Sequence, residues 1–135
     1  FGRVDVLVTA AGFNAPKPIL EQSVEEWEKI MDANVKGTWL FAKYAGEQMV
    51  KQGEGGKVIL VSSARSKAGM KGYTGYCTAK AGIDLMAQSL ACEWGCSTMI
   101  LQRQSSLLVC QSEDLESQVI LREHAYSLPL MRATS

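Results

Sequence analysis

The sequence predicts an α/β fold in which parallel strands alternate with long helices. Two runs rich in Val, Ile and Leu, at about residues 4–9 and 57–62, have the composition of buried parallel strands. Each run is followed by a stretch in which apolar residues recur at helical spacing, at about 24–52 and 74–94. Strands that alternate with helices of this length are typical of a parallel sheet.

The first strand leads into small residues and then into a helix start. Residues 10–12 have small side chains, which let the backbone approach a ligand closely. After the proline-containing loop at 14–18, Ser23 and Glu26 have the spacing of a capping box. We therefore predict that a helix begins directly after Ser23.

This helix should be distorted in its interior. Asn34 lies within the helical pattern, where an asparagine amide can bond to the backbone in place of a backbone N–H. The helix then ends at the glycine-rich segment 53–56. Because that segment precedes a strand, it predicts a turn rather than a phosphate-binding loop.

The second strand ends at Ser63, and the carboxyl ends of strands face the crevice where open α/β sheets bind ligands. A loop that holds Gly69, Gly72 and Gly75 follows, and a helix is predicted from about Thr74 to Trp94. Right-handed crossovers would place the two long helices on one face of the sheet.

Tyr76 and Lys80 lie four residues apart at the start of the last helix, so they share a helix face. The ammonium group would favour the phenolate, and such a phenol can exchange a proton with an alcohol oxygen. Taken alone, the pair is better explained as a helix-start aromatic and a solvated base. Ser63 stands thirteen residues before Tyr76, and together with Asn34 it favours a catalytic set. Each of these two also has a structural interpretation, as a strand end and as a backbone-bonding amide.

Composition excludes several classes of function. The 135 residues are 47% hydrophobic, which predicts one globular domain. Fourteen acidic and fourteen basic residues balance, so neither nucleic acid nor a cationic partner is favoured. No apolar run is long enough to predict a membrane span. The four cysteines lack metal-ligand or redox spacing, so we predict no metal site and a location in the reducing cytoplasm.

The order and spacing of the motifs resemble the short-chain dehydrogenases/reductases. The resemblance covers about Phe1 to Gly95. The sequence from Val61 to Cys77 is most similar to bacterial sugar-acid and oxoacyl reductases. The motifs that carry it are Ala11-Gly12 after the first strand, Asn34-Val35-x-Gly37, Val61-Ser62-Ser63 and Tyr76-x-x-x-Lys80.

The resemblance implies an oxidoreductase that uses NAD or NADP to interconvert a small-molecule carbonyl and a secondary alcohol. Tyr76 would be the acid/base, and Lys80 would support it and bind the nicotinamide ribose. Ser63 would donate a hydrogen bond to the substrate oxygen, and Asn34 would hold a water that links Lys80 to solvent. The implied fold is a three-layer Rossmann-type parallel sheet, incomplete here because the first strands and the glycine-rich turn are missing.

Residues 10–12 match the family's segment beside the adenosine of the cofactor. Thr9 and Ala10 stand where the family has two asparagines, so a hydrogen bond that steadies the central strand is not expected. The predicted cofactor-binding set is Ala10, Ala11, Gly12, Tyr76 and Lys80.

In this family the two long helices pair between subunits, so the resemblance also implies a homo-oligomer. The alternative is that the chain is a non-catalytic truncated fragment, which acts only as a dimerisation or interaction module.

The pattern changes after Gly95, so we divide the chain into residues 1–95, the central and catalytic part, and an atypical tail at 96–135. The tail contains no glycine. Our hypothesis is a shifted reading frame or an alternative exon after Gly95, and the alternative is a genuine but divergent segment. Its sequence predicts short strands at Ile100–Leu101 and Leu107–Val109 and a modest helix at Glu113–His124, with His124 at the surface.

Overall fold

A computed structural model describes residues 2–94, together with the backbone of residues 99–102, 107–110 and 120–121. In chain order the elements are strand β1 (Val6–Thr9), helix α1 (Val24–Met31), a π-helix (Asp32–Lys36), helix α2 (Gly37–Gln52), strand β2 (Lys57–Leu60), a 3-10 helix (Ala64–Ser66), helix α3 (Thr74–Trp94), and strands β3 (Met99–Gln102), β4 (Leu107–Cys110) and β5 (Ile120–Leu121).

The strands form one sheet in the order β1-β2-β3-β4-β5. β2 is parallel to both β1 and β3, which confirms the predicted parallel pairing in this part of the sheet. β4 runs antiparallel to β3, and β5 antiparallel to β4. A parallel neighbour of β3 would need a crossover of a dozen or more residues, and β4 begins only five positions after the end of β3. The strands predicted at Ile100–Leu101 and Leu107–Val109 are confirmed by β3 and β4.

Helices α2 and α3 pack on the same face of the sheet. Val58 and Leu60 are two positions apart in β2, so their side chains share one face, and both are buried. The two helices meet over these residues, as the crossover rule predicts. The buried core cluster consists of Ala42, Met49, Val58, Leu60, Ile83, Ala87 and Leu90.

The opposite face of β1 is open in the part of the chain that the structure describes. Val6 and Val8 point to this face and are 51% and 56% exposed. Two of the three predicted layers, the sheet and one layer of helices, are therefore present in the described residues.

The helix ends follow the sequence closely. The Ser23 hydroxyl accepts from the Glu26 N–H at 3.3 Å, and the Glu26 carboxylate accepts from the Ser23 N–H at 2.9 Å, which confirms the capping box. α2 ends at Gly53, whose φ of 76° is the left-handed conformation that favours glycine at this position.

The prediction that Gly75 belongs to a loop is wrong, because Gly75 lies in the first turn of α3. A Cβ atom at this position would lie 3.3 Å from the Trp27 ring and 3.2 Å from Ile30 Cδ1. Gly75 thus allows the close packing of α3 on α1, which outweighs its low helix propensity.

Two predictions about the tail fall outside the described residues. These are the helix at Glu113–His124 and the surface position of His124. The division of the chain at residue 95 stays a prediction. Among the residues that the structure does describe, no helix combines the length and the apolar character that crossing a bilayer requires.

We predict that Thr9→Val stabilises the protein. The Thr9 side chain is buried, and its hydroxyl finds no hydrogen-bond partner within the described part of the chain. Removing an unsatisfied buried hydroxyl should raise the free energy of unfolding by about 1 kcal/mol, measured by urea denaturation.

The matched control is Thr38→Val. Thr38 is also buried, but its hydroxyl donates to the Asn34 carbonyl at 2.6 Å. This variant should lose about 1 kcal/mol. A loss of stability in Thr9→Val as large as that in Thr38→Val would contradict the assignment of Thr9.

Candidate active site

The candidate residues lie at the carboxyl ends of two neighbouring strands. Residues 10–12 follow β1, and Ser63 follows β2. Because β1 and β2 are parallel, these segments meet at the same edge of the sheet. Asn34 comes from the π-helix, and Tyr76 and Lys80 come from the first turns of α3.

Asn34 is fully buried, and its side chain explains the helix distortion. Its Nδ2 donates to the Ile30 carbonyl at 2.9 Å, and this is the acceptor that a regular helix would give to the Asn34 backbone N–H. The backbone shifts to π spacing, so that the Gly37 N–H bonds to the Asp32 carbonyl five residues back. The predicted distortion near Asn34 is therefore confirmed, and such single-turn π segments are frequent at functional sites.

The Asn34 amide also holds the loop that follows β1. Nδ2 donates a second hydrogen bond to the Phe13 carbonyl at 2.8 Å. The other end of the amide, Oδ1, is buried and has no hydrogen-bond partner among the described residues. Asn34 thus fixes two backbone segments and presents one unused acceptor.

Gly12 lies against this acceptor. A Cβ atom at Gly12 would collide with Asn34 Oδ1 and would lie 3.7 Å from Lys80 Nζ. Asn34 Oδ1 and the Lys80 ammonium therefore face the same small space beside Gly12. This position requires a residue without a side chain, although Gly12 does not have a positive φ.

Lys80 is only 4% exposed, and its Nζ donates to the Val61 carbonyl at 3.1 Å. Nζ lies 5.6 Å from the centre of the Tyr76 ring, which confirms that the two side chains share a helix face. Burial lowers the pKa of Lys80, and the charge of Asp84 opposes that effect. The Lys80 ammonium thus loses its proton more readily than an ordinary lysine.

Tyr76 is half-buried at the start of α3. Its ring packs edge-to-face against Tyr73, with the ring centres 6.3 Å apart and the planes at 83°. Tyr73 therefore supports the orientation of Tyr76. This packing partner has no sequence signal beyond its spacing three residues earlier.

Ser63 has an extended backbone and caps the 3-10 helix. Its Oγ accepts from the Arg65 N–H at 3.2 Å, which leaves its own hydroxyl proton available to donate. Its carbonyl accepts from the Ser66 hydroxyl at 2.8 Å. The 3-10 helix packs against α3, the helix that carries Tyr76.

Sequence reasoning missed the backbone groups that hold the site. The carbonyls of Phe13 and Val61 position Asn34 and Lys80, and any residue type supplies such a carbonyl. A further link joins two loops, since the Lys17 N–H donates to the Gly72 carbonyl at 2.9 Å. No pattern of side chains could have predicted these contacts.

The structure brings some of the predicted site residues into contact and leaves others apart. Contacts join Gly12, Asn34, Lys80 and Tyr76, and packing of the 3-10 helix on α3 joins Ser63 to them. Ala10 and Ala11 are exposed at the end of β1.

This arrangement fits the ribose of a nucleotide cofactor. An ammonium has three donors, and Lys80 uses one of them on the Val61 carbonyl. The remaining donors and the unpaired Asn34 Oδ1 suit hydroxyl groups or a bridging water. The small side chains at 10–12 leave the adjacent backbone accessible.

The family model for short chain dehydrogenase matches residues 1–101. An uncharacterized oxidoreductase of Mycobacterium tuberculosis is 49% identical over 96 residues, which cover 70% of this chain and 36% of the relative. The structure of acetoin dehydrogenase from Enterobacter cloacae superposes with a TM-score of 0.67 at 33% identity, over 69% of this chain and 37% of that one. A protein from Beutenbergia cavernae, provisionally named an NAD(P) dependent gluconate 5-dehydrogenase, has NADP bound at low occupancy. It gives a TM-score of 0.66 at 29% identity, over 68% of this chain and 36% of its own. The chain spans little more than a third of the length of these relatives.

We predict that Gly12→Ala destabilises the protein by about 1–3 kcal/mol, because the added methyl group must displace the buried Asn34 amide. The measurement is urea denaturation. Gly69→Ala is the control, since a Cβ atom there would meet nothing within 4 Å. That change should stay within about 0.5 kcal/mol. Equal effects of the two substitutions would show that Gly12 does not contact Asn34.

Proposed function

The chain belongs to the short-chain dehydrogenase family, and from this premise we propose an NAD(P)-dependent interconversion of a carbonyl and a secondary alcohol, with Tyr76 as the acid/base. Its described part represents the Rossmann-type α/β fold, and its relatives are named oxidoreductases and dehydrogenases. The observation that carries the proposal is the Tyr76 ring held 5.6 Å from a buried ammonium, that of Lys80.

Tyr76 and Ser63 act on the oxygen of the substrate. In reduction, Tyr76 donates its phenolic proton to the carbonyl oxygen as the carbonyl carbon gains a hydride, and in oxidation it takes the proton back. The Ser63 hydroxyl, whose proton is available, donates a hydrogen bond to the same oxygen and stabilises its developing charge. A nicotinamide cofactor, when bound, supplies or accepts the hydride.

Lys80 and Asn34 support the proton transfer. The Lys80 ammonium stabilises the phenolate of Tyr76 by its charge. Its lowered pKa makes it able to pass a proton on. A water beside Gly12 could bond both Asn34 Oδ1 and Lys80 Nζ, and would connect the site to solvent. The unpaired Oδ1 supports this role.

The cofactor would be NAD or NADP. Lys80 would hold the ribose hydroxyls of the nicotinamide half beside Tyr76. The exposed backbone at Ala10, Ala11 and Gly12 would lie against the adenosine half. The NADP bound to the Beutenbergia cavernae protein supports a nicotinamide dinucleotide for this chain as well.

We further propose that the chain forms a homo-oligomer through α2 and α3. Several large apolar side chains of these helices are exposed, which is the composition of a surface that pairs. The cytoplasm is the expected location, and the described cysteines Cys77 and Cys92 are free thiols, which is compatible with a reducing compartment. The exposed apolar residues are Trp39, Leu40, Phe41, Tyr44, Val50 and Leu85.

The same apolar surface favours a second candidate function, a non-catalytic interaction module. A fluorescence titration that measures NAD(P)H binding distinguishes the two functions. Binding supports the oxidoreductase, and oligomerisation without any binding supports the module.

We predict that Tyr76→Phe lowers kcat by about 10²- to 10⁴-fold, the range that a general acid/base contributes. The assay is NAD(P)H oxidation with a panel of small ketones, using protein expressed from its complete coding sequence.

Tyr73→Phe is the matched control for this experiment. Tyr73 packs on Tyr76 but has no lysine four residues later, so kcat should change by less than about threefold. A kcat of Tyr76→Phe within about tenfold of the unchanged protein would contradict the assignment of Tyr76.

A further inference from the structure

Basic residues gather in the segment that carries Ser63 and Tyr76. Residues 55–83 contain five basic side chains and no acidic one, although the whole chain has fourteen of each. The five are Lys57, Arg65, Lys67, Lys71 and Lys80. Arg65, Lys67 and Lys71 lie between β2 and α3, in the segment that follows Ser63, whereas Lys57 begins β2 at the other end of the strand.

Arg65 lies two residues after Ser63, in the 3-10 helix that Ser63 caps. Its backbone N–H donates to Ser63 Oγ at 3.2 Å, so its position is fixed relative to the hydroxyl that would bind the substrate oxygen. Arg65 is half-buried. A guanidinium that starts beside Ser63 can reach a group a few bonds away from the carbonyl bound there.

The described residues leave this charge uncompensated. The ion pairs among them involve Arg3, Lys17 and Lys36, and none includes Arg65, Lys67 or Lys71.

Two carboxylates on helices that flank the site act on other cations. Glu26 pairs with Lys17 at 2.9 Å across the neighbouring loop. Asp84 acts on the charge of Lys80. Within the described part of the chain, the segment 64–73 after Ser63 therefore carries three basic side chains without a paired carboxylate.

We propose that the crevice accepts carbonyl or alcohol substrates that carry an anionic group, and that Arg65 binds that group. The proposal rests on the proposed function, since it places the substrate oxygen at Ser63 and Tyr76. The planar guanidinium matches a carboxylate or a phosphate with two parallel hydrogen bonds. Lys67 and Lys71 are exposed and would raise the local concentration of anions by a field that salt screens.

The test compares ketones that differ in charge. The probes are acetoacetate with methyl acetoacetate, levulinate with methyl levulinate, and dihydroxyacetone phosphate with dihydroxyacetone, each reduced by NAD(P)H with protein from the complete coding sequence. We expect kcat/KM to be at least about tenfold higher for the anionic member. Preference for a carboxylate or for the phosphate then identifies which anion the site takes.

The decisive variant is Arg65→Gln. It should lower kcat/KM by about 10- to 100-fold for the anionic probes and by less than about threefold for the neutral ones. Lys29→Gln removes a charge from the exposed side of α1 and should alter neither class. If Arg65→Gln does not fold, Arg65→Lys serves instead, since it keeps the charge but loses the two-pronged geometry.

The two proposals fail in different ways. Equal kcat/KM for charged and neutral probes, or an unselective effect of Arg65→Gln, overturns the anion site even if Tyr76→Phe lowers kcat as predicted. Absence of turnover with every probe, or an active Tyr76→Phe, overturns the oxidoreductase and the anion site together.

Discussion

One buried amide, that of Asn34, holds the candidate crevice together. Its Nδ2 bonds to the Ile30 and Phe13 carbonyls, and so joins the helical layer to the loop after β1. These groups are shielded from water, so loss of the amide would leave carbonyls without partners, at a cost of roughly 1–3 kcal/mol each. The open π turn, the position of Gly12 and the space beside Lys80 all depend on this side chain.

Two cations of the candidate site lie in different environments. Lys80 is buried beneath the crevice, where the Val61 carbonyl and Asp84 offset part of the cost of its charge. Its burial keeps the ammonium close to the Tyr76 ring, 5.6 Å from the ring centre. Arg65 is half-buried at the rim and has no ion-pair partner among the described residues. Lys80 is suited to stabilising the charge of a neighbouring side chain, and Arg65 is suited to binding a ligand.

Sequence patterns predicted the local features well, because periodicity, capping and the i, i+4 rule depend on neighbours along the chain. They predicted α3 and the distortion at Asn34. They failed at Gly75, which was predicted to lie in a loop. Its place in α3 depends on close packing against Trp27 and Ile30, which are far from it along the chain. The carbonyls of Phe13 and Val61 were unpredictable, since every residue carries one. The proposed roles of Ser63, Tyr76 and Lys80 remain predictions that experiment must test.

The most direct test of the account is the pKa of the Lys80 ammonium, followed by heteronuclear NMR of its side chain. The account predicts a value below the ordinary 10.5 of lysine, because burial disfavours the charge, and a further decrease in Asp84→Asn, because Asp84 raises it. A Lys80 that titrates at or above 10.5 would show that burial does not outweigh the charge of Asp84 at this ammonium. The central claim would then be contradicted.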